Sequence, residues 1–248
     1  MKCSMKKLFS TITLLTAVST ITPLSAAPLD ADQQQLVREL VRSTLIENPE
    51  IFVEVMGELQ KRERQAQADA QRASLDNNKD RLFNTSGDPF IGNPKGKLSM
   101  VYFADYNCGF CKRQDPILEQ MVKQYPDLKI IYKELPVLGE TSREAAELVL
   151  AAHQHHPDIY QKLHQRLMAK PGGHDSASIA AAFKAEGLDV DELRKKVDGT
   201  IKATIDNNQR LAAELGIRGT PAMVFADEIL GGFTNADQLS DKVKSRLN

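Results

Sequence analysis

An apolar run, Leu98 to Ala104, leads into two cysteines separated by two residues, Cys108 and Cys111. A helical pattern from Lys112 to Gln124 follows at once. This order limits what the chain can be. A cysteine at the first turn of a helix faces unpaired backbone N–H groups and the positive end of the helix dipole. Both favour thiolate over thiol. The second cysteine lies one turn along the same helix and can close a disulfide with the first. Cys108 is therefore the expected attacking thiol and Cys111 the resolving one. The adjacent cations Lys112 and Arg113 add to thiolate stabilisation if their side chains turn that way.

The N-terminus sharpens the reading of this pair. Lys2, Lys6 and Lys7 form a positive region, Leu8 to Ile21 an apolar one, and Pro23-Leu24-Ser25-Ala26-Ala27 a small-residue exit. Residues 1–26 thus read as a cleaved secretory signal, too short in its apolar part for a membrane span. Removing them leaves 29 basic against 33 acidic residues, so charge suggests no nucleic-acid partner. Of three cysteines, Cys3 leaves with the signal. Exported proteins usually spend cysteines on staples between distant segments. A pair three residues apart closes a tiny loop and makes a poor staple, which favours redox chemistry. Zinc is the other reading, yet a closed zinc site wants four ligands and no second cysteine pair exists.

Residues 28–83 read as a helical arm. Leu36, Val37, Leu40, Val41, Leu45 and Ile46 form a stripe at helical spacing, and Asn48-Pro49 breaks it. Ile51, Phe52, Val55, Met56 and Leu59 continue on a second helix. The polar stretch from Gln60 to Lys79 looks like a spacer, so the arm is expected to self-associate, as a dimer or trimer. Asn84 to Lys97, with Gly87, Pro89, Gly92, Pro94 and Gly96, reads as a boundary and turn region. The strand from Leu98, the cysteine helix and a second strand, Leu128 to Leu135, make a βαβ unit. Helical patterns fill about 140–215. Ala222–Ala226 and Ile229–Leu230 then read as a hairpin, and Asn235 caps a last helix to Leu247.

Four short motifs stand in order: Ile91-Gly92-Asn93-Pro94-Lys95-Gly96, Phe103 to Lys112 around the cysteines, Glu134-Leu135-Pro136-Val137-Leu138-Gly139, and Arg218-Gly219-Thr220-Pro221-Ala222. Together, over roughly Asp88 to Leu247, they resemble the DsbA family, and most nearly its N-terminally extended, oligomeric branch with ScsC-type proteins. The resemblance implies an α/β thioredoxin fold with a helical insertion, preceded by an oligomerisation arm. It makes residues 84–248 the DsbA-like domain. It also implies a periplasmic thiol:disulfide interchange protein with no cofactor, cysteine-containing client proteins, and a membrane redox partner. Pro221 becomes a cis-proline facing the cysteines, with Thr220 before it; both, with Gly109 and Phe110, are the expected client-binding residues. Gly109-Phe110 differs from the Pro-His of DsbA and is close to the Gly-Tyr of the isomerase DsbC, which tilts the expectation towards isomerisation.

Other residues carry weaker signals. Glu134, at the end of the second strand, stands where DsbA-like folds can place an acid for proton transfer near the buried cysteine; strand-end acids are more often simply solvated. Asp105 and Tyr106 flank the site, as client-shaping or merely turn-forming residues. His153, His155 and His156 invite a metal reading, but no further ligand stands at spacing beside them. Two alternatives to exchange chemistry remain: copper or zinc handling through Cys108 and Cys111 as soft ligands, and a holding chaperone without redox turnover.

Overall fold

The computed structural model describes residues 28–248; the expected signal segment lies outside the described residues. Two compact units divide the chain between Gln60 and Lys61.

The first unit holds α1 (Ala31–Glu47) and the start of α2 (Glu50–Asn77). Asp30 and Gln33 cap α1 reciprocally, each side chain accepting the other's backbone N–H at 2.8 and 3.1 Å. The break between the helices falls at Asn48-Pro49, where the sequence predicts it. No residue of α1 is buried. Leu36, Leu40 and Ile46 are 67%, 63% and 66% exposed, so most of the apolar stripe faces solvent. No helix among the described residues is long and apolar enough to cross a membrane.

In the second unit α2 continues to Asn77, and a short α3 (Lys79–Phe83) follows. The expected spacer is thus helical, and its far end is anchored. Leu75 and Leu82 are buried beside Val101, Phe103, Leu211 and Leu215, and the Ser74 hydroxyl donates to the Glu214 carbonyl. Packing of this unit therefore starts well upstream of residue 84, because those two leucines complete one of its cores.

Five strands form one sheet: β1 (Phe90–Gly92), β2 (Leu98–Ala104), β3 (Leu128–Glu134), β4 (Ala222–Val224) and β5 (Ile229–Gly231). Their order is β1-β3-β2-β4-β5, with β2 and β3 parallel and the other pairs antiparallel. The first strand was expected to be turn. Its short FIG run carries no alternation to reveal it, and Gly92 is required because a Cβ there would meet the Leu128 carbonyl and the Val122 side chain.

Helix α4 (Gly109–Gln124) crosses from β2 to β3, and α10 (Ala236–Leu247) packs beside it. Between β3 and β4 come α5 (Glu140–His155), a 3-10 turn at Pro157–Ile159, α6 (Tyr160–Ala169), α7 (Ser176–Ala185), α8 (Val190–Lys196) and α9 (Gly199–Glu214). Side chains of a strand alternate between faces. Met100, Tyr102 and Ala104 enter the core with α4, α5 and α6, whereas Val101 and Phe103 enter the core with Leu75, Leu82 and α9. Burial on both faces explains why β2, Ser99 aside, reads as an apolar run. Mixed α/β layering of this kind, with a helical insertion, is a DsbA-like thioredoxin fold.

Candidate active site

Strand register brings the site together. Phe103 pairs with Ala222, so the Thr220-Pro221 peptide, which is cis, arrives level with the end of β2. The Cys108 residue is the N-cap of α4, and its Sγ accepts from the Cys111 N–H at 3.4 Å. The same thiol donates to the Thr220 carbonyl at 3.2 Å. Both cysteines are free thiols and both are buried, Cys108 with 7% exposure and Cys111 with none. Hydrogen bonding from Cys111, against the opposing effect of burial, lowers the Cys108 pKa to about 5. Burial pushes the Cys111 thiol far up, and the neighbouring Cys108 adds to the rise. One thiol is thus activated and the other is held protonated, the division that an attacking and a resolving cysteine need.

The two neighbouring cations do not turn towards the sulfur. Lys112 Nζ donates to the carbonyls of Lys170 and Gly172 at 2.6 and 2.5 Å. The Arg113 guanidinium lies over the rings of Phe110 and Phe233, 5.5 and 4.7 Å from their centroids. Activation of Cys108 therefore comes from the Cys111 side chain first, then from the Thr220 side chain and the backbone at the helix start, and Arg113 instead props up the half-exposed Phe110 ring. Gly109 and Phe110 open α4.

The turn before Cys108 is tied down on two sides. Asp105 accepts backbone N–H groups of Asn107, Val137 and Leu138 at 2.7, 2.8 and 3.0 Å. Asn107 donates to Thr141 Oγ1 and Ser142 Oγ at 2.9 and 3.0 Å and accepts from the His174 N–H at 2.6 Å. Its side chain thereby fastens the residue before the nucleophile to the helical insertion. Nothing in the spacing of Asn107 marks it; its neighbours are distant in sequence.

Glu134 is at the end of β3, opposite Ala104, and is buried, not solvated. Its carboxyl accepts from Tyr106 at 2.9 Å and Tyr160 at 3.4 Å, with no hydrogen bond to either cysteine. Burial raises its pKa to about 7. Tyr106 is wholly buried and also contacts His164 Nδ1 at 2.9 Å, whose Nε2 meets Asp115 Oδ1 at 2.8 Å. This line of buried polar groups escapes periodicity analysis, because Asp115 and His164 occupy inward positions on α4 and α6 that the pattern assigns to apolar residues. Of the three tempting histidines, His153 packs edge-on to Tyr160, His155 ends α5 and His156 is its C-cap. Among the described residues no group of three or more His, Cys, Asp or Glu side chains could hold a metal ion.

Residues 100–244 match the DSBA-like thioredoxin domain, and residues 33–66 match the copper resistance protein ScsC N-terminal domain. The chain belongs to the DsbA family. A linker-deleted mutant of Proteus mirabilis ScsC is 41% identical, with 90% of this chain and 99% of that chain covered at a TM-score of 0.69. A periplasmic thioredoxin-like protein from Salmonella enterica serovar Typhimurium is 38% identical, covering 68% of this chain and 95% of that chain at a TM-score of 0.64. Disulfide bond formation protein D of Bacillus subtilis (strain 168) is 20% identical over 172 residues, 65% of this chain and 78% of that protein. As a DsbA-like, ScsC-like chain, the protein is of the thiol–disulfide oxidoreductase type.

Proposed function

We infer that this DsbA-like protein is an exported thiol:disulfide interchange protein that isomerises disulfides in client proteins, forms them, or both. The supporting observation is the split between the two thiols: Cys108 is lowered to about 5 at the start of α4, and buried Cys111 is raised. A Cys108 thiolate attacks a client disulfide, the Cys108–client bond forms, and the electron pair leaves on the second client sulfur. That freed client thiolate then attacks elsewhere in the client, which is isomerisation. Alternatively Cys111 attacks Cys108, releases the client as a thiol and leaves the Cys108–Cys111 disulfide. Run in reverse, with a client thiolate attacking that disulfide, the same steps oxidise the client. Thr220 and Pro221 serve as the client-binding edge: proline has no N–H, and the Thr220 carbonyl beside Cys108 is an acceptor for an incoming strand.

Isomerisation is favoured by the Gly109-Phe110 dipeptide and by the arm, whose exposed apolar stripe suits self-association of two or three chains around a shared cleft. A membrane redox partner recharges the pair in either direction. Glu134, at about 7, acts in this reading as a proton reservoir for the site. The likeness of residues 33–66 to the N-terminal domain of the copper resistance protein ScsC supports a second reading, copper handling with Cys108 and Cys111 as soft ligands.

Refolding of a scrambled-disulfide substrate tests the choice. The full mature chain is expected to restore activity to the substrate, and Cys108→Ser to abolish this. Copper binding lost on the same substitution, in a parent without exchange activity, would select the second reading.

A further inference from the structure

Seven arginines lie between residues 84 and 248. Arg143, Arg166, Arg194 and Arg246 are ion-paired with carboxylates, and Arg210 donates to the Asn207 amide oxygen. Arg113 and Arg218 are different: among the described residues neither side chain donates a hydrogen bond or joins an ion pair. An unpaired surface arginine is ordinarily just solvated. These two, however, flank the chain segments that meet at the Cys108–Thr220 contact. Arg218 stands two residues before Thr220, and Arg113 is on the opening turns of α4, just after the cysteines.

Arg113 is held where a client strand would pass. The Gly232 N–H donates to the Pro221 carbonyl at 2.8 Å, and the Thr234 N–H donates to Gln114 Oε1 at 2.8 Å. Segment 232–234 therefore bridges the cis-proline and α4, with Phe233 at its middle. Gln114 is wholly buried, so the bridge is anchored from below. The Arg113 guanidinium lies over the Phe233 ring and over that of Phe110, which stands between the two cysteines. A guanidinium held over ring faces keeps its in-plane N–H donors, whose fork matches a carboxylate. The rings have already ordered this side chain, so capturing a ligand freezes less rotamer freedom than it would for a free arginine. Arg113 is also exposed, which leaves those donors open to solvent.

We propose that Arg113 is a specificity-determining residue of the exchange site, taking an Asp or Glu carboxylate that lies within a few residues of the client's reactive cysteine, with Arg218 as a second cation. The partner chemistry is an acidic polypeptide segment. A client strand rises about 3.3 Å per residue, so one paired at Thr220 comes level with Arg218 two residues along. The proposal deepens the exchange reading and rests on it. Overall charge does not supply the preference, because the chain without residues 1–26 has more acidic than basic residues. Exposed charges more than about 8 Å apart are largely screened at physiological salt. The preference is therefore local to these two cations and weakens as salt rises.

The test uses the full mature chain with its Cys108–Cys111 disulfide formed. Three synthetic two-cysteine peptides serve as probes, identical except that the residues flanking the cysteines are all Asp, all Asn or all Lys. In the reaction the protein S–S bond breaks and a peptide S–S bond forms. The peptide is oxidised, and the protein sulfurs are reduced to thiols. Each rate is divided by that peptide's rate with bis(2-hydroxyethyl) disulfide, an uncharged reagent, which removes the effect of the flanking charges on the peptide's own thiols. In the parent at low salt the Asp peptide is expected to lead the Asn peptide by at least about threefold, the size of one exposed ion pair, and the Lys peptide to trail. The lead should shrink towards one in about 1 M salt. In Arg113→Gln it should fall most of the way to one, and Arg113→Lys, which keeps the charge but not the fork, should restore part of it. A ratio of two rates on one variant cancels a general loss of activity, so a merely structural role for Arg113 would not move it. Equal rates for the Asp and Asn peptides on the parent, or an unchanged ratio in Arg113→Gln, overturn the proposal while leaving the exchange reading intact. A parent inert towards all three peptides overturns the exchange reading, and the proposal with it.

Discussion

The Cys108 Sγ lies 3.2 Å from the carbonyl oxygen of Thr220, a residue 112 positions away in the chain. Two strand ends deliver these atoms: β2 runs into the cysteine turn, and β4 begins just after Pro221. A carbonyl acceptor favours the protonated thiol, whereas donors favour the thiolate. Donors win: hydrogen bonding from the Cys111 side chain first, then from the Thr220 side chain and the Cys111 and Phe110 backbone, lowers the Cys108 pKa to about 5 despite burial.

That shift makes the stability of the reduced form depend on pH. Cys108 titrates near 5 when folded, against 9.0 for an ordinary thiol. A folded value below the unfolded one contributes stability that is complete above the unfolded pKa and lost as pH falls through the folded one. The disulfide form has no such group. Melting temperatures of reduced and oxidised chains are therefore expected to move in favour of the reduced form as pH rises from 5 towards 9. Thermal melts of both forms across that window check the sign; an opposite trend would mean that Cys108 is not held as a thiolate.

Asn107 is expected to matter beyond its size. Asn107→Ala removes bonds to Thr141, Ser142 and the His174 N–H, leaving part-buried polar groups without partners. The loss should be about 1–3 kcal/mol by urea denaturation. Because the cysteine turn is freed from the insertion, alkylation of Cys108 should also lose its low-pH activation. A variant within about 0.5 kcal/mol of the parent, with an unchanged alkylation profile, would make Asn107 an ordinary surface residue.

Leu82 has no exposure, and it packs with Leu75 against β2 and α9. Leu82→Ala should cost about 2–5 kcal/mol, as large-to-small changes in well-packed cores do. A chain beginning at Asn84 would lack both leucines and should be destabilised in the same way. Urea denaturation is the measurement; a loss below about 1 kcal/mol would show that the core closes without them.

What could be read in advance follows a physical divide. The strand Leu98–Ala104, the helix break at Asn48-Pro49 and the cap at Asn235 announce themselves through local pattern, and each stands where expected. The cysteine pair was legible for the same reason, since its chemistry depends on neighbours one helical turn apart. Asn107, Asp115 and His164 were not. Their partners come from segments dozens of residues away, and a polar residue facing inward looks, in sequence, like a defect in an apolar face. Glu134 was half legible: its place at the end of β3 was anticipated, but its burial among Tyr106 and Tyr160 comes from the insertion. Lys112 and Arg113 misled, because closeness in sequence to Cys108 says nothing about the carbonyls and rings that capture them.

The arm offers the plainest test of assembly. Leu36, Leu40, Val41, Phe52 and Met56 are all more than half exposed, an apolar surface that a chain in isolation leaves in water. Burying one side chain of this kind gains about 1.5–3 kcal/mol, so a handful at an interface between arms is enough to hold chains together. Sedimentation of the full mature chain should give a dimer or trimer, and a chain beginning at Lys61, which keeps Leu75 and Leu82, should be a monomer. Leu40→Asp in the full chain should dissociate it without unfolding the domain, since α1 buries nothing there. If isomerisation needs several Cys108 thiols around one cleft, both short and dissociated forms should lose scrambled-substrate refolding while simple thiol oxidation survives. Equal masses for the long and short chains would remove the arm from assembly, and refolding activity undiminished in the monomer would remove it from the reaction.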